Sequence, residues 1–134
     1  MGAFTPEEIE YLGGQRLGRL ATVGRDGRPH VVPVGFRYNP EQETIDIGGH
    51  GLAATRKYRD VLRDPRVAFV VDDVVSVQPW RVRGVEIRGE AEALPVGGKT
   101  VMPALDDELI RIRPRWVRSW GLNGKGEGAV GNVG

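Results

Sequence analysis

The residues whose types and spacing favour chemistry lie between positions 48 and 57. A glycine-rich segment comes first, consisting of Gly48, Gly49, His50 and Gly51. Glycines let backbone N–H groups converge, and a helix that follows presents unpaired N–H groups at its positive end. Thr55, Arg56 and Lys57 add a hydroxyl, a forked guanidinium and an ammonium to the early turns of that helix. This pattern predicts a site for an anion such as a terminal phosphate; the alternative is a turn followed by a solvated helix face.

A second candidate site is the apolar stretch of Val32, Pro33 and Val34. A proline inside a strand cannot donate to the sheet and leaves an irregular edge, against which a flat ring could lie. The alternative is that Pro33 protects an exposed strand edge from pairing with other chains.

The two histidines are the candidates for proton transfer. His50 is the better placed of them, because imidazole titrates near neutral pH, although a histidine in a glycine loop is also typical of a turn or a surface. His30 is expected to be exposed or to pair across strands. Two histidines without clustered carboxylates make a poor metal site, and no arrangement of Ser, His and an acid indicates a hydrolase. We expect no metal, and no catalytic acid is required by these residues.

Three tryptophans, Trp80, Trp116 and Trp120, account for a third of the nine aromatic residues. Indole rings could form a stacking wall for a conjugated substrate, or they could fill a core and a dimer interface. The interface is the favoured interpretation.

The composition bounds the fold that must position these residues. The chain has 134 residues, of which 20 are Gly and 9 are Pro, and this favours many short strands and turns. The net charge of +1 is too small for the broad basic field of a non-specific nucleic-acid binder. No cysteine is present, which excludes disulfides and thiolate chemistry. No apolar run approaches the roughly 20 residues of a membrane span. We therefore expect a soluble, cytoplasmic protein without nucleic-acid or membrane partners.

The first half of the chain predicts a helix, a hairpin and a third strand. Thr5, Pro6 and Glu8 combine a helix cap, a proline at the first helical position and a capping-box acid, so a short helix is expected within residues 1–14. Residues 17–38 contain two apolar segments joined by a turn at 24–27, which is typical of an antiparallel hairpin. A third strand from residue 44 is expected to pair back on the second.

The second half predicts a helix and three further strands. Helical spacing over residues 52–63 ends at Asp64 and Pro65. The apolar run 66–71 indicates a strand covered on both faces. Residues 82–94 indicate a long strand with one wet side, in which Gly84 and Gly89 indicate bulges or barrel corners. Residues 109–120 indicate a last strand with a kink or an edge position at Pro114. Residues 121–134 form a Gly-rich tail, either flexible or ordered only by a partner or ligand.

The fold class that follows is mainly β (α+β). Six or seven antiparallel strands, one inserted helix and a short N-terminal helix are the pattern of a small closed or nearly closed barrel. No internal repeat and no second domain are evident, so residues 1–134 are expected to form one domain.

Four segments of the sequence together resemble a known family. They are LGRLATVGRDGRPHVVPVGFRYNPEQETIDI, ATRKYRDVLRDPRVAFVVDD, PWRVRGVEIRGEAEAL and RIRPRWVRSWGLN. The first resembles the opening hairpin of the pyridoxamine 5'-phosphate oxidase-like superfamily of FMN-binding split β-barrels, and the second resembles its phosphate-binding helix and the following strand. Within that superfamily the chain is similar to the branch that uses the deazaflavin coenzyme F420.

The resemblance implies a homodimer with two cofactor sites between its subunits. Lys57 would bind the cofactor phosphate, with Arg56 and Thr55 beside it. The segment from Val32 through Pro33 to Val34 would give backbone contacts to the ring system, and the segment Gly48, Gly49 and His50 would border the cofactor side chain. The substrate side or the partner subunit would involve Trp80, Trp116, Trp120 and Asn123.

The leading functional hypothesis is an oxidoreductase that transfers a hydride from reduced F420 to a conjugated or quinone-like small molecule. One alternative is an FMN flavoprotein of the same fold. Another is a non-catalytic protein that binds a cofactor or haem. Full-length pyridoxamine-phosphate oxidases continue with a longer C-terminal region, which this chain lacks, so oxidation of vitamin B6 is not expected.

Overall fold

The structure is a computed structural model that describes residues 2–122 and the backbone of residues 130–131. Its helices are α1 (Pro6–Gly13) and α2 (Arg56–Arg63), and two 3-10 turns span Leu52–Ala54 and Gly98–Thr100. The strands are β1 (Leu17–Val23), β2 (Pro29–Gly35), β3 (Arg37–Asn39), β4 (Thr44–Ile47), β5 (Arg66–Ser76), β6 (Arg81–Leu94), β7 (Leu109–Trp120) and β8 (Val130–Gly131). The expected mainly β architecture is confirmed, and β8 lies inside the segment predicted as a tail.

All strands belong to one antiparallel sheet that curls into a split barrel. The order of strands is β2-β1-β5-β6-β7-β4-β3, and β8 pairs with β7 beyond the end of β4. In the part of the chain that the structure describes, β2 and β3 at the two ends of this order do not pair with each other. The outer edge of β2 is therefore open.

The two local predictions with the strongest turn and cap chemistry are confirmed. The Thr5 hydroxyl accepts from the Glu8 N–H, and the Glu8 carboxylate accepts from the Thr5 N–H, which is the capping box of α1. In the β1–β2 hairpin the Gly27 N–H donates to the Gly24 carbonyl, and Gly27 adopts a φ of 82° that favours glycine.

The inner face of the sheet forms the core. Its fully buried side chains include Leu20, Phe69, Val71, Val85 and Ile87, which alternate with outward-facing residues along their strands. At Gly18 an added Cβ would lie 2.2 Å from the Phe69 ring, so only a glycine leaves room for that ring.

Two elements differ in detail from their expectations. The second predicted strand is interrupted at Phe36, whose ring packs edge-to-face on Phe69 with centroids 5.3 Å apart. The third strand therefore pairs with the short piece β3 and with β7 rather than with β2. The predicted helix over 52–63 is divided at Thr55, which caps α2 after the first 3-10 turn.

The long strands β6 and β7 carry the predicted irregularity. Their register shifts between Arg88 and Gly89, where β7 contributes one extra residue near Pro114. An added Cβ on Gly89 would lie 2.1 Å from the Arg113 carbonyl oxygen, so this close approach of two backbones requires a glycine.

No helix in residues 2–122 is long and apolar enough to cross a membrane.

Candidate functional site

Lys57 lies in the first turn of α2 with its side chain half-buried. Burial lowers the pKa of its ammonium. Within the described residues no hydrogen-bond acceptor or carboxylate is bonded to this ammonium. A half-buried positive charge without a partner is costly, and an anionic ligand would compensate it. Lys57 is thus the strongest candidate binding residue that the sequence indicated.

Thr55 precedes Lys57 and acts as the N-cap of α2. Its hydroxyl donates to the Leu52 carbonyl over 2.6 Å and accepts from the Tyr58 N–H over 3.4 Å. The single hydroxyl proton is therefore used by the chain itself. Donation from Thr55 to a phosphate stays a prediction, and it requires the bond to Leu52 to open.

Arg56 points away from the core towards the β1–β2 turn. Its Nε lies 3.7 Å from the Asp60 carboxylate, and an added Cβ on Gly24 would lie 2.8 Å from its Nη2. The Asp60 side chain is buried, and it accepts from the Thr22 hydroxyl over 2.8 Å and from Arg63 over 2.7 Å. Asp60 therefore ties α2 to β1 and fixes the direction of Arg56.

A pocket of about 450 Å³ opens where α2 meets the β1–β2 turn. Its lining, which we call the arginine pocket, consists of Arg25, Asp26, Arg56, Arg59, Asp60 and Arg63. Arg56 contributes to this lining, whereas Lys57 does not.

The glycine loop before α2 is held by a carboxylate that sequence reasoning did not identify. The Gly51 N–H donates to the Asp106 carboxylate over 2.5 Å, and the Asp106 N–H donates to the Gly49 carbonyl over 3.2 Å. Gly48 packs closely on Leu105 in the same segment. The His50 side chain is exposed. The Asp106 carboxylate thus already accepts a hydrogen bond from the Gly51 amide, which the sequence analysis had predicted to bind a ligand's anion.

The open edge of β2 carries few donors. The Gly24 N–H bonds to the Arg28 carbonyl, and hydrogen-bonded pairs alternate along an antiparallel ladder. The backbone groups of Val32 and Val34 therefore bond to β1. The backbone groups of Val31, Pro33 and Gly35 point outwards from the sheet edge. Among these outward residues, only Val31 and Gly35 have an N–H that can donate. A planar ligand at this edge would meet the Pro33 carbonyl between two amides.

His30 also lies on β2, and no sequence pattern indicated it as a binding residue. Its Nδ1 is buried and lacks a hydrogen-bond partner in residues 2–122. It faces Thr22 across the ladder, and Thr22 bonds to Asp60 of α2. A buried polar atom of β2 that lacks a partner is consistent with a ligand that supplies the missing hydrogen bond.

Within residues 2–122, none of the three tryptophans forms a cation–π contact with Lys57. Trp116 lies beneath the Arg88 guanidinium at 4.4 Å, and Trp120 covers Gly84 and contacts Arg118. Cross-strand pairing places Trp116 and Trp120 on the outer face of the sheet. Trp80 is 66% exposed at the β5–β6 turn. Asn123 lies outside the described residues.

The outer face of the sheet also carries an apolar depression of about 300 Å³. Val31, Ala21, Ala68 and Val70 contribute its apolar surface, and Val31 is 63% exposed. Cross-strand register makes this depression continuous with the strands that hold Trp116 and Trp120.

Two polar networks, one partly buried and one fully buried, join residues that are distant in the sequence, so no local pattern predicted them. In one, the Tyr11 hydroxyl donates to Asp73 over 2.7 Å, and Arg83 pairs with Asp73 over 2.9 Å. Burial, and then the Asp73 carboxylate, raise the pKa of Tyr11. This network joins α1 to β5 and β6, and its groups are mutually satisfied.

The second network centres on Asp46, which is fully buried. It accepts from Asn39, Thr44 and Arg111. Burial acts to raise the pKa of Asp46, but these hydrogen bonds and the Arg111 charge outweigh burial and lower it. The network joins β3, β4 and β7 and is structural.

Metal-ligand side chains are not clustered: no three of His, Asp and Glu come together in the described ranges 2–122 and 130–131.

The fold and the sequence place the chain in one family. The chain belongs to the pyridoxamine 5'-phosphate oxidase family, whose sequence profile matches residues 4–121. It is similar to a 5a,11a-dehydrotetracycline/5a,11a-dehydrooxytetracycline reductase of Streptomyces rimosus subsp. rimosus. The two are 51% identical over 121 residues, which cover 90% of this chain and 85% of the reductase.

Solved structures share the fold at low identity. A FAD-binding protein from Mesorhizobium loti superposes with a TM-score of 0.65 at 23% identity, covering 87% of this chain and 93% of that one. A haem-binding protein from Mycobacterium smegmatis superposes with a TM-score of 0.68 at 17% identity, covering 97% of this chain and 60% of that one.

Proposed function

We propose that the chain is an oxidoreductase that reduces a conjugated, quinone-like small molecule with a hydride from coenzyme F420. The family and the 51% identical reductase support oxidoreductase activity on a small molecule. The observation that carries the cofactor site is the half-buried Lys57 ammonium, which lacks a partner among the described residues.

Lys57 binds the cofactor phosphate in this proposal. The ammonium lies in the first turn of α2, where the helix dipole also favours an anion. Pairing with a phosphate would offset the desolvation that lowers the lysine's pKa. Arg56 and Thr55 are the nearest further donors in the sequence, and Arg56 reaches the same anion only if it turns from Asp60.

The edge of β2 orients the ring. The Pro33 carbonyl and the outward amides of Val31 and Gly35 form an acceptor between two donors, which suits the polar edge of a planar heterocycle. When bound, a reduced deazaflavin supplies the hydride. The chain's residues then hold the ring at this edge, and the apolar side chains around it exclude water.

The relative supports the proposed substrate class. That protein is a reductase of 5a,11a-dehydrotetracycline, which is polycyclic and unsaturated. A molecule of this kind presents a broad conjugated face, and the indole of Trp116 or Trp120 could stack on it. The proton that completes the reduction would come from His50 or from water, because His50 is exposed on the loop before α2.

A homodimer completes the proposal. The apolar depression around Val31 and the half-exposed Trp116 and Trp120 lie on one continuous face of the sheet. Two copies that pack these faces together would bury apolar surface and bring the tryptophans of one subunit towards the other.

The proposal is tested by titrating the purified protein with oxidised F420 and following the coenzyme's fluorescence. Saturable binding is expected, and Lys57→Ala should weaken it by about tenfold to a hundredfold, since a hydrogen bond to a charged group contributes roughly 1.5–3 kcal/mol. Arg66→Ala is the matched control, because it removes an exposed positive charge elsewhere. Failure of F420 to bind would refute the proposal. Equal affinity in Lys57→Ala would remove Lys57 from the site.

A flavoprotein of the same fold is the second candidate, supported by the FAD-binding structural relative. A yellow preparation that releases FMN or FAD on denaturation would favour it. Turnover assays with reduced F420 and a panel of enones and quinones separate both enzymes from a non-catalytic cofactor or haem binder, which would bind tightly without turnover.

A further inference from the structure

Of the two tryptophans that the proposed function offers to a substrate, Trp120 has the ring that is more easily uncovered. The Arg88 guanidinium lies over the Trp116 ring at 4.4 Å, and the Glu86 carboxylate holds that guanidinium in place over 3.1 Å. The Arg118 guanidinium lies farther from the Trp120 ring, at 5.6 Å, and forms no hydrogen bond or ion pair within residues 2–122. Arg118 can therefore leave the Trp120 ring without breaking another bond.

The Trp120 ring lies directly on the backbone of β6. An added Cβ on Gly84 would lie 2.5 Å from the Trp120 Cζ2, so the indole packs against the main chain there. An added Cβ on the next residue, Gly121, would lie 3.1 Å from the Cα of Arg83. The position of the indole therefore depends on the path of β6 at Arg83 and Gly84.

The pairing of β6 with β7 ends at this same place. Gly84 and Trp120 are the last residues of the two strands that pair with each other among residues 2–122. Beyond this pair no further ladder bond fixes the end of β7 on β6, so contacts from other elements must do so.

Arg83 is the residue of this segment that other elements hold. Its Nε and Nη2 donate to the two oxygens of Asp73 over 2.9 and 3.2 Å, which fixes the guanidinium on β5 in a bidentate manner. Tyr11 of α1 donates its hydroxyl to the same carboxylate over 2.7 Å, and the Arg83 guanidinium lies 5.1 Å from the centre of the Tyr11 ring. Tyr11 is only 7% exposed, so α1 supports this network from the buried side.

We propose that Tyr11 is a positioning residue for substrate binding, which acts through Asp73 and Arg83 on the part of β6 that supports Trp120. This inference rests on the proposed function, in which an indole stacks on a conjugated substrate. Stacking requires a defined height and tilt of the ring, so a displacement of β6 at Gly84 weakens it. Tyr11 thus couples the N-terminal helix to the substrate side of the protein.

The first test observes Trp120 in the full chain without any substrate. In a background of Trp80→Phe and Trp116→Phe, Trp120 is the only tryptophan left, and its emission reports its surroundings. Tyr11→Phe keeps the ring beside Arg83 and removes the hydroxyl. We expect it to shift the Trp120 emission to longer wavelength and to increase quenching by acrylamide. Arg83→Lys keeps the charge, loses the fork and should give the same shift.

Asp72→Asn is the matched control for this measurement. Asp72 is the neighbour of Asp73 on β5, but its carboxylate forms an exposed pair with Arg19 instead. The control should leave the Trp120 emission unchanged. The proposal is overturned if Tyr11→Phe and Arg83→Lys both leave the emission unchanged, or if Asp72→Asn shifts it equally.

The second test measures turnover of 5a,11a-dehydrotetracycline, used as a probe, with reduced F420. Tyr11→Phe should raise the KM about twofold to tenfold and change kcat by less than about twofold, as expected for the loss of one hydrogen bond. A purely structural role would instead lower the fraction of active protein, and hence the apparent kcat, at an unchanged KM. In a Trp120→Ala background, Tyr11→Phe should have no further effect on the KM, because both changes act on the same contact.

The outcomes separate this inference from the proposed function. Wild-type turnover with an unchanged KM in Tyr11→Phe, or an equal effect of Tyr11→Phe with and without Trp120, overturns the positioning role alone. A wild-type protein that shows no turnover refutes the proposed function, and the substrate role of Tyr11 falls with it.

Discussion

The carboxylate of Asp106 accepts a hydrogen bond from the backbone N–H of Gly51 over 2.5 Å. A glycine-rich loop before a helix commonly binds an anionic ligand through its backbone N–H groups. Here one of these N–H groups instead donates to the side chain of Asp106, which lies 55 residues further along the chain. The loop is thereby clamped to the segment between β6 and β7.

Asp106→Asn removes the negative charge of this contact and keeps an oxygen that can accept the hydrogen bond. The amide oxygen can still accept from Gly51, so the loss of stability should be about 0.5–1.5 kcal/mol. Removal of the negative charge should raise the affinity of the protein for an anionic cofactor beside the loop. Thermal unfolding and fluorescence titration measure the two effects. Asp107→Asn is the control, because its exposed carboxylate does not bond to the loop. Unchanged cofactor affinity in Asp106→Asn would place the cofactor's charge away from Gly51.

The pH dependence of cofactor binding should report Lys57. Burial lowers its pKa in the free protein, and pairing with a phosphate would raise the pKa again. Affinity should therefore be full below the free-state pKa and should fall, by up to about tenfold per pH unit, as pH rises from that value to the bound-state pKa. Lys57→Arg should flatten this profile, because a guanidinium stays charged. An identical alkaline decline in Lys57→Arg would assign it to another group.

The pairing of Asp46 with Arg111 should dominate the acid sensitivity of the fold. Since the pKa of Asp46 is lowered on folding, its contribution is present above the unfolded-state pKa and is lost as pH falls through the folded-state pKa. The loss should begin below about pH 5. Urea denaturation at several pH values measures it, and Asp46→Asn should show a weaker dependence in this range.

Removal of Arg111 tests the same network at neutral pH. Arg111→Ala leaves a buried carboxylate unpaired and should reduce the free energy of unfolding by about 3–5 kcal/mol. Arg113 lies on the same strand as Arg111 but forms a half-exposed ion pair with Glu92 of β6. Arg113→Ala should therefore reduce the free energy of unfolding by less than about 1 kcal/mol. Similar losses in the two variants would show that burial of Asp46 is not the cause.

The outer face of the sheet can be tested as a dimer interface. Val31→Lys places a charge in the apolar depression and should shift a dimer to monomers in light scattering, with a parallel loss of cofactor affinity. Val77→Lys changes another exposed valine, in the β5–β6 turn, and should leave the dimer intact. A wild-type monomer, or a Val31→Lys dimer, would contradict this use of the face.

Local chemistry made the frame of this fold predictable. Thr5 with Glu8 indicated the first helix, and the Gly24 to Gly27 turn indicated the hairpin, because each signal acts within a few residues. The interruption at Phe36 was not predictable, since it depends on packing against Phe69 from a distant strand.

The position of Lys57 in the first turn of a helix was predictable, whereas the contacts that surround the candidate site were not. Lys57 follows glycines and a helix cap in the sequence, so its position was evident. Asp106 is brought to Gly51 by the sheet, and the orphaned Nδ1 of His30 depends on what surrounds it in three dimensions. No short sequence pattern predicts the Asp106–Gly51 hydrogen bond or the buried position of His30 Nδ1.

The prolines of β2 have a consequence for how the protein behaves among other polypeptides. Pro29 and Pro33 occupy outward positions of the open edge, so half of the amides that a docking β-strand would need are missing. Intermolecular strand addition, the first step towards fibrillar assembly, is disfavoured at this edge. The outward carbonyls of Pro29 and Pro33 remain free of this restriction, so the two prolines remove donors from the edge without removing its acceptors.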